Sequence, residues 1–185
     1  MFPNSACQMG SPHNTRRYAM LKKILYMLGV VLLLTFSNAQ AAMLNAAFVA
    51  IVKAGAERGD AFYQCVLAEC HDFADCEGIP HDYSKARIWY EKAATQGSAE
   101  AQFNLGNMYR NGQGVRQDYV KSRKLWEKAA AQGYASAQYN LGVMYAKGQG
   151  VRQNKRTAKE WFGKACDNGE QKGCDNYRIL NEAGL

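Results

Sequence analysis

Residues Ala99–Tyr134 recur without a gap as Ala135–Glu170, and 17 of the 36 aligned positions are identical. A period of 20–50 residues is the signature of stacked supersecondary units rather than of one globular core. Each unit leaves an apolar face that only a neighbouring unit covers, so the ends of the stack need capping elements. The repeat continues upstream in degraded form. Gly78-Ile79-Pro80-His81-Asp82-Tyr83 aligns 36 residues before Gly114-Val115-Arg116-Gln117-Asp118-Tyr119, whereas Gly59, Ala61, Gln64 and Leu67 answer Gly97, Ala99, Gln102 and Leu105 at an offset of 38. The first unit therefore carries about two extra residues, within Cys70–Gly78. The expected division is an N-terminal capping helix at 42–58, a variant repeat at 59–98, repeats at 99–134 and 135–170, and a C-terminal capping helix at 171–185.

The first 41 residues differ in kind. Lys22-Lys23 precede a 13-residue apolar run, Ile24–Phe36, followed by Ala39-Gln40-Ala41. A charged start, a short apolar stretch and an A-x-A site predict a Sec-type secretory leader cleaved after Ala41. The run falls short of the roughly 20 residues a membrane-spanning helix needs, so no stable anchor is expected after cleavage. Met20, just before Leu21-Lys22-Lys23, is a second candidate start, which would leave 1–19 untranslated; Arg16-Arg17 fits a twin-arginine signal poorly. The expected location is periplasmic or secreted.

Removing the leader changes the charge argument. The whole chain is +7, but its first 41 residues hold four bases and no acid, leaving 19 basic and 16 acidic residues, a net +3. That is ordinary for solubility and is not the footprint of a nucleic-acid binder. Cys7 goes with the leader, leaving Cys65, Cys70, Cys76, Cys166 and Cys174 for an oxidising compartment. An odd count predicts one unpaired thiol, free or linking two molecules as a dimer.

Each unit reads as two helices. In the first, Ala101, Leu105 and Tyr109 recur every four residues, as do Ala137, Leu141 and Tyr145, so each set shares a face. Small residues at Ala101 and Gly106 admit a close neighbour. Asn111-Gly112 and Lys147-Gly148 end these helices, with glycine supplying the left-handed cap. Asp82, Asp118 and Asn154 are the expected N-caps of the second helices. Those helices carry the pairs Trp89-Tyr90, Leu125-Trp126 and Trp161-Phe162, and end at Gln96-Gly97, Gln132-Gly133 and Asn168-Gly169. The fold class expected is an all-α, right-handed α/α solenoid of helix-turn-helix repeats.

The pattern AQxNLGxMYxxGQGVxQD, followed by WxxKAAxQG, resembles the Sel-1-like repeat, a relative of the tetratricopeptide repeat. The resemblance runs from about Gly59 to the C-terminus and is specific at Ala101, Gln102, Leu105, Gly106, Tyr109, Gly112, Gly114, Ala129 and Ala130. It implies an adaptor that assembles proteins. The first unit departs from it, with Cys65, Cys70 and His71 where the next unit has Phe103, Met108 and Tyr109. Cys166 and Cys174 bracket the Asn168-Gly169 turn, and the chain is similar here to the secreted Helicobacter cysteine-rich proteins, in which such a pair staples each repeat. This resemblance implies a Cys166–Cys174 disulfide.

The remaining cysteines leave alternatives. Cys70 with Cys76 would clamp the enlarged loop and is the preferred pairing; Cys65 with Cys76 is the other. Cys65, Cys70, Cys76 and His81 lack the close C-x2–4-C pairs of structural zinc sites, so no metal is expected. Nothing in the sequence around these thiols would activate one as a nucleophile. Gly112-x-Gly114 has no third glycine, no Lys-Ser end and no preceding strand, so it is a helix–helix turn and not a phosphate loop. Trp89, Trp126 and Trp161, at helical spacing beside apolar partners, read as core rather than as a stacking platform. No catalytic residue and no cofactor is expected.

The most informative surface lies on the first helices. Asn104, Asn107 and Asn111 fall off the Ala101–Leu105–Tyr109 face; the next unit places Asn140, Val143 and Lys147 there, and the first unit Val66, Glu69 and Phe73. An asparagine offers two donors and an acceptor, which suits it to gripping a peptide backbone. The resemblance implies that such concave asparagines do this, with Asn104 and Asn140 at the matching position. The competing reading has them solvated or packing neighbouring repeats. The expected function is a protein or peptide partner bound through Asn104, Asn107, Asn140 and Lys147, with Tyr109 and Tyr145 at the rim. The alternative, a weak β-lactamase or penicillin binder, is implied only by the cysteine-rich relatives. The chain has no S-x-x-K with a partner motif to carry it.

Overall fold

The computed structural model describes residues 38–73 and 76–184. The predicted leader up to Ser37, Met20 and Cys7 lie outside them. The described residues are helical, joined by short turns, and the chain divides into two compact units, one ending at Ser98 and the other beginning at Ala99.

The first unit packs α1 (Asn38–Glu57) on α2 (Ala61–Phe73), and α2 on α3 (Tyr83–Thr95). Helix α1 begins four residues ahead of the expected 42, because Ala39, Ala41 and Ala42 are strong helix formers. Val52, Ala56, Leu67, Ala68, Ala86 and Ala93 are buried in this unit, around a fully buried Tyr90. The Tyr90 hydroxyl donates to Asp72 Oδ2 at 3.4 Å. Burial pushes the Asp72 carboxyl up from its ordinary 3.8, against the opposing pull of Tyr90 and His81.

In the second unit α4 (Ala99–Asn111) pairs with α5 (Tyr119–Ala131), α5 with α6 (Ala135–Lys147), α6 with α7 (Lys155–Asp167), and α7 with α8 (Gln171–Glu182). Trp126, Ala129, Ala130, Ala137, Leu141 and Met144 form its core. Small residues set the spacing between helices. A Cβ built on Gly106 would lie 2.5 Å from the Trp126 indole, and one on Gly142 would lie 2.6 Å from the Phe162 ring. The indole Nε1 of Trp126 donates to Phe103 O at 3.1 Å, so the ring is both packed and satisfied.

The aromatic pairs sort differently from the expectation that all three tryptophans are core. Adjacent helical residues point about 100° apart, so only one of each pair can face inward. Tyr90, Trp126 and Phe162 take that position. Trp89 and Trp161 are half-buried, each with a lysine ammonium over its ring: Lys92 at 3.8 Å and Lys164 at 4.3 Å.

All three expected N-caps form. Asp82 accepts from the Ser84 and Lys85 amides, Asp118 from Lys121, and Asn154 from Thr157. The disulfides Cys70–Cys76 and Cys166–Cys174 are present, with Cα–Cα separations of 5.1 and 4.5 Å. Closing loops this short stabilises by about 2 kcal/mol each in the chain-entropy account. Cys65 is disulfide-bonded too, and among the described residues no thiol is free. The expected unpaired thiol is therefore not seen among the described residues.

Candidate partner-binding face

Glutamine side chains at one end and the turns at the other hold the first helices in place. Buried Gln64 and Gln138 each donate to the carbonyl of a preceding helix, Ala56 O at 3.2 Å and Ala130 O at 3.1 Å. The glutamine of each repeat also accepts from the cap of its own second helix: Gln64 from Gln96 (2.8 Å), Gln102 from Gln132 (3.0 Å) and Gln138 from Asn168 (3.0 Å). One amide thus ties the start of a first helix to the end of its partner. Sequence reasoning flagged Gln102 as part of the pattern without giving it a role. The signal was available in the 30-to-32-residue spacing to Gln96, Gln132 and Asn168.

The far ends of the helix pairs are held by the turns. Asp118 N donates to Tyr109 O (2.8 Å) and Asn154 N to Tyr145 O (2.9 Å). Gln117 Nε2 donates to Arg110 O (2.6 Å), and Gln153 Nε2 to Ala146 O (2.8 Å). In the first unit Asp82 N donates to His71 O (2.9 Å), the same link, but the loop is closed by Cys70–Cys76. A His71 ring nitrogen, Nδ1, lies 3.1 Å from Pro80 O, so this histidine is engaged with its own turn.

Between these fixed ends lie the predicted partner-binding residues. Asn104, Asn107 and Asn140 are half-buried, and Lys147 is exposed at the end of α6. The structure brings Asn107 and Asn140 together across repeats, Asn140 Nδ2 donating to Asn107 Oδ1 at 3.5 Å. That is a long bond, and each amide keeps further hydrogen-bonding capacity. Asn111 turns instead to Gln113, 3.2 Å away. The matching positions of the first unit differ in burial: Val66 and Glu69 are buried, and of the three only Phe73 is exposed. Tyr109 is half-buried with the Lys121 ammonium 5.2 Å from its ring, which places it against α5.

The arrangement supplies paired amide groups on a rigid helical face, and it defines a class: an all-α solenoid of helix pairs that presents a surface. The Sel1 repeat family model matches residues 61–98, 99–134 and 135–170. The chain belongs to the Sel1 repeat family, whose members are generally protein-interaction modules. Among curated protein sequences none matches significantly. Among solved structures it is similar to c5321, a protective antigen present in uropathogenic Escherichia coli strains and displaying an SLR fold. Identity there is 38% over 72% of this chain and 28% of that one, with a TM-score of 0.69; the chain thus spans little more than a quarter of that protein. A Sel1 repeat protein from Oxalobacter formigenes is 35% identical over 71% of this chain and 97% of its own, with a TM-score of 0.64. Helicobacter pylori cysteine rich protein B shares the fold at 23% identity over 71% of this chain and 92% of its own, with a TM-score of 0.56. Among the described residues no helix is long and apolar enough to cross a membrane.

Proposed function

We propose that this chain is an exported, periplasmic or secreted adaptor that binds an extended peptide segment of a protein partner on the α4–α6 face, through Asn104, Asn107, Asn140 and Lys147. The observation that carries the reading is the meeting of Asn107 and Asn140 from successive repeats, which places amide donors and acceptors side by side on a surface no core residue needs. The glutamine links that fix α4 and α6 supply the preorganisation that makes such contacts useful. Export is supported by the leader pattern and by two disulfides in the described residues. Protein recovered from the cell envelope should accordingly begin at Ala42.

Peptides selected from a random library against the full chain test the binding face. Asn104→Ala/Asn140→Ala should weaken the selected peptides about tenfold or more, since each lost backbone hydrogen bond costs about 1 kcal/mol. The helical melt should stay nearly unchanged. Unaltered affinity in that double variant would remove the asparagine-clamp reading.

A further inference from the structure

A second surface of the same unit has a different chemistry. Residues 99–185 contain 14 basic and 8 acidic side chains, whereas residues 42–98 contain 5 basic and 8 acidic. The net +3 of residues 42–185 therefore conceals a +6 carried by the second unit. Within that unit the excess is concentrated where α4 and α6 end and α5 and α7 begin. Residues 110–121 and 146–157 include seven bases and one acid, Asp118, whose carboxylate is committed to capping α5.

The two turns form one continuous edge. A Cβ built on Gly150 of the second turn would lie 2.5 Å from Tyr119 Cβ, the first residue of α5, so the turns abut. Arg116, Lys121, Arg152, Lys155 and Arg156 are all exposed along this edge, and none of them forms an ion pair among the described residues. Like charges gathered along one edge repel one another, and an anionic partner relieves the repulsion.

We propose that this turn edge is a second docking surface, which takes an acidic polypeptide segment. The edge is poor in what the other polyanions need. Single-stranded nucleic acid binds by stacking bases on open aromatic rings. Here Tyr109, Tyr119 and Tyr145 are half-buried, and Lys121 already covers the Tyr109 ring. Elements that lie on anionic membranes combine cations with large apolar groups that insert. At this edge Val120 alone among the described large hydrophobics is exposed. Cations without stacking rings or inserting groups suit a chain of carboxylates, recognised by charge and strongly dependent on salt.

The test is fluorescence anisotropy of a labelled Glu-rich peptide and its Gln-substituted twin, with the full chain. The Glu peptide should bind, the twin should not, and affinity should fall about tenfold or more as ionic strength rises from 0.02 to 0.2 M. Arg116→Glu/Arg152→Glu/Lys155→Glu/Arg156→Glu should abolish binding. Lys53→Glu/Arg58→Glu/Lys128→Glu/Lys172→Glu, with the same change in net charge, should retain most of it. Equal loss in both sets would overturn the edge as a site, and so would no binding at all. Replacing the same four edge residues by Gln guards against a misfolded reversal variant and should still weaken binding about tenfold. Tighter, edge-dependent binding to phosphatidylglycerol vesicles or single-stranded DNA would overturn the partner class. A dimer seen by light scattering and lost in the edge variant would replace the acidic segment with a second copy of the chain. Asn104→Ala/Asn140→Ala should leave this binding unchanged, which keeps the two surfaces separately testable.

Discussion

The turn of the first unit and the turns of the second do the same mechanical task with different chemistry. In each, the N-cap amide of the second helix donates back to a carbonyl near the end of the first, at 2.8–2.9 Å: Asp82 to His71, Asp118 to Tyr109, Asn154 to Tyr145. In the second unit two left-handed glycines per turn, Gly112 with Gly114 and Gly148 with Gly150, bend the chain, and a glutamine amide holds it. In the first unit a longer loop keeps one such glycine, Gly78, and is held by Cys70–Cys76. The endpoint is set by the packing of the helix pair. How the chain gets there is free to vary, provided something replaces the lost local bonds.

The largest expected effect probes the crowding of the glycine turn. Gly150 combines a φ of +67° with a Cβ position 2.5 Å from Tyr119, while Gly78 has a φ of +83° and open space. Gly150→Ala should therefore cost about 3 kcal/mol, from left-handed strain plus overpacking, and Gly78→Ala only about 1. Denaturant titration of the two variants decides it. Equal costs would mean that the turns are not packed as differently as they look.

Next in size is the disulfide itself. Cys70→Ser/Cys76→Ser should destabilise by about 2 kcal/mol. In native-state hydrogen exchange the Asp82 amide should lose protection while those of Asp118 and Asn154 keep theirs. Loss at all three amides would show that the glycine turns depend on the covalent one, and the comparison would fail.

Most of this was legible in the sequence where the cause was local. The caps at Asp82, Asp118 and Asn154 depend on one side chain and the next three amides, and the capping position recurs in all three units. The small residue at Gly106 announced a close approach, although not that Trp126 would be what approaches. The tryptophans misled because residue type was read before register: in the 36-residue alignment Trp126 stands opposite Tyr90 and Phe162, and that column is the buried one. The Asn107–Asn140 contact and the burial of Val66 and Glu69 depend on how segments distant in sequence pack, which spacing within one unit does not specify. The basic edge was hidden by averaging charge over the whole chain.

The smallest expected effect is electrostatic and separates the caps. Asp82 lies below its ordinary 3.8, chiefly because the Lys85 amide bonds its ionised form, helped by the Lys85 charge and the Ser84 amide. A carboxyl lowered on folding contributes stability that is fully present above its unfolded value near 4 and is lost as pH falls through the lowered folded value. Asn154 caps the equivalent helix of the last repeat with no titratable group at all. Asp82→Asn keeps the capping acceptor and removes the titration. Melts of the variant and the parent chain between pH 6 and 2 should therefore differ most at neutral pH and converge in acid, with the parent the more stable at pH 6. The raised Asp72 carboxyl in the same unit works in the opposite sense, because stability tied to it falls as pH rises through its folded value. That dependence is common to the parent chain and to Asp82→Asn, so it cancels in the difference between them. A parent-to-variant gap that stays constant with pH would show that Asp82 caps α3 by geometry alone, as Asn154 caps α7.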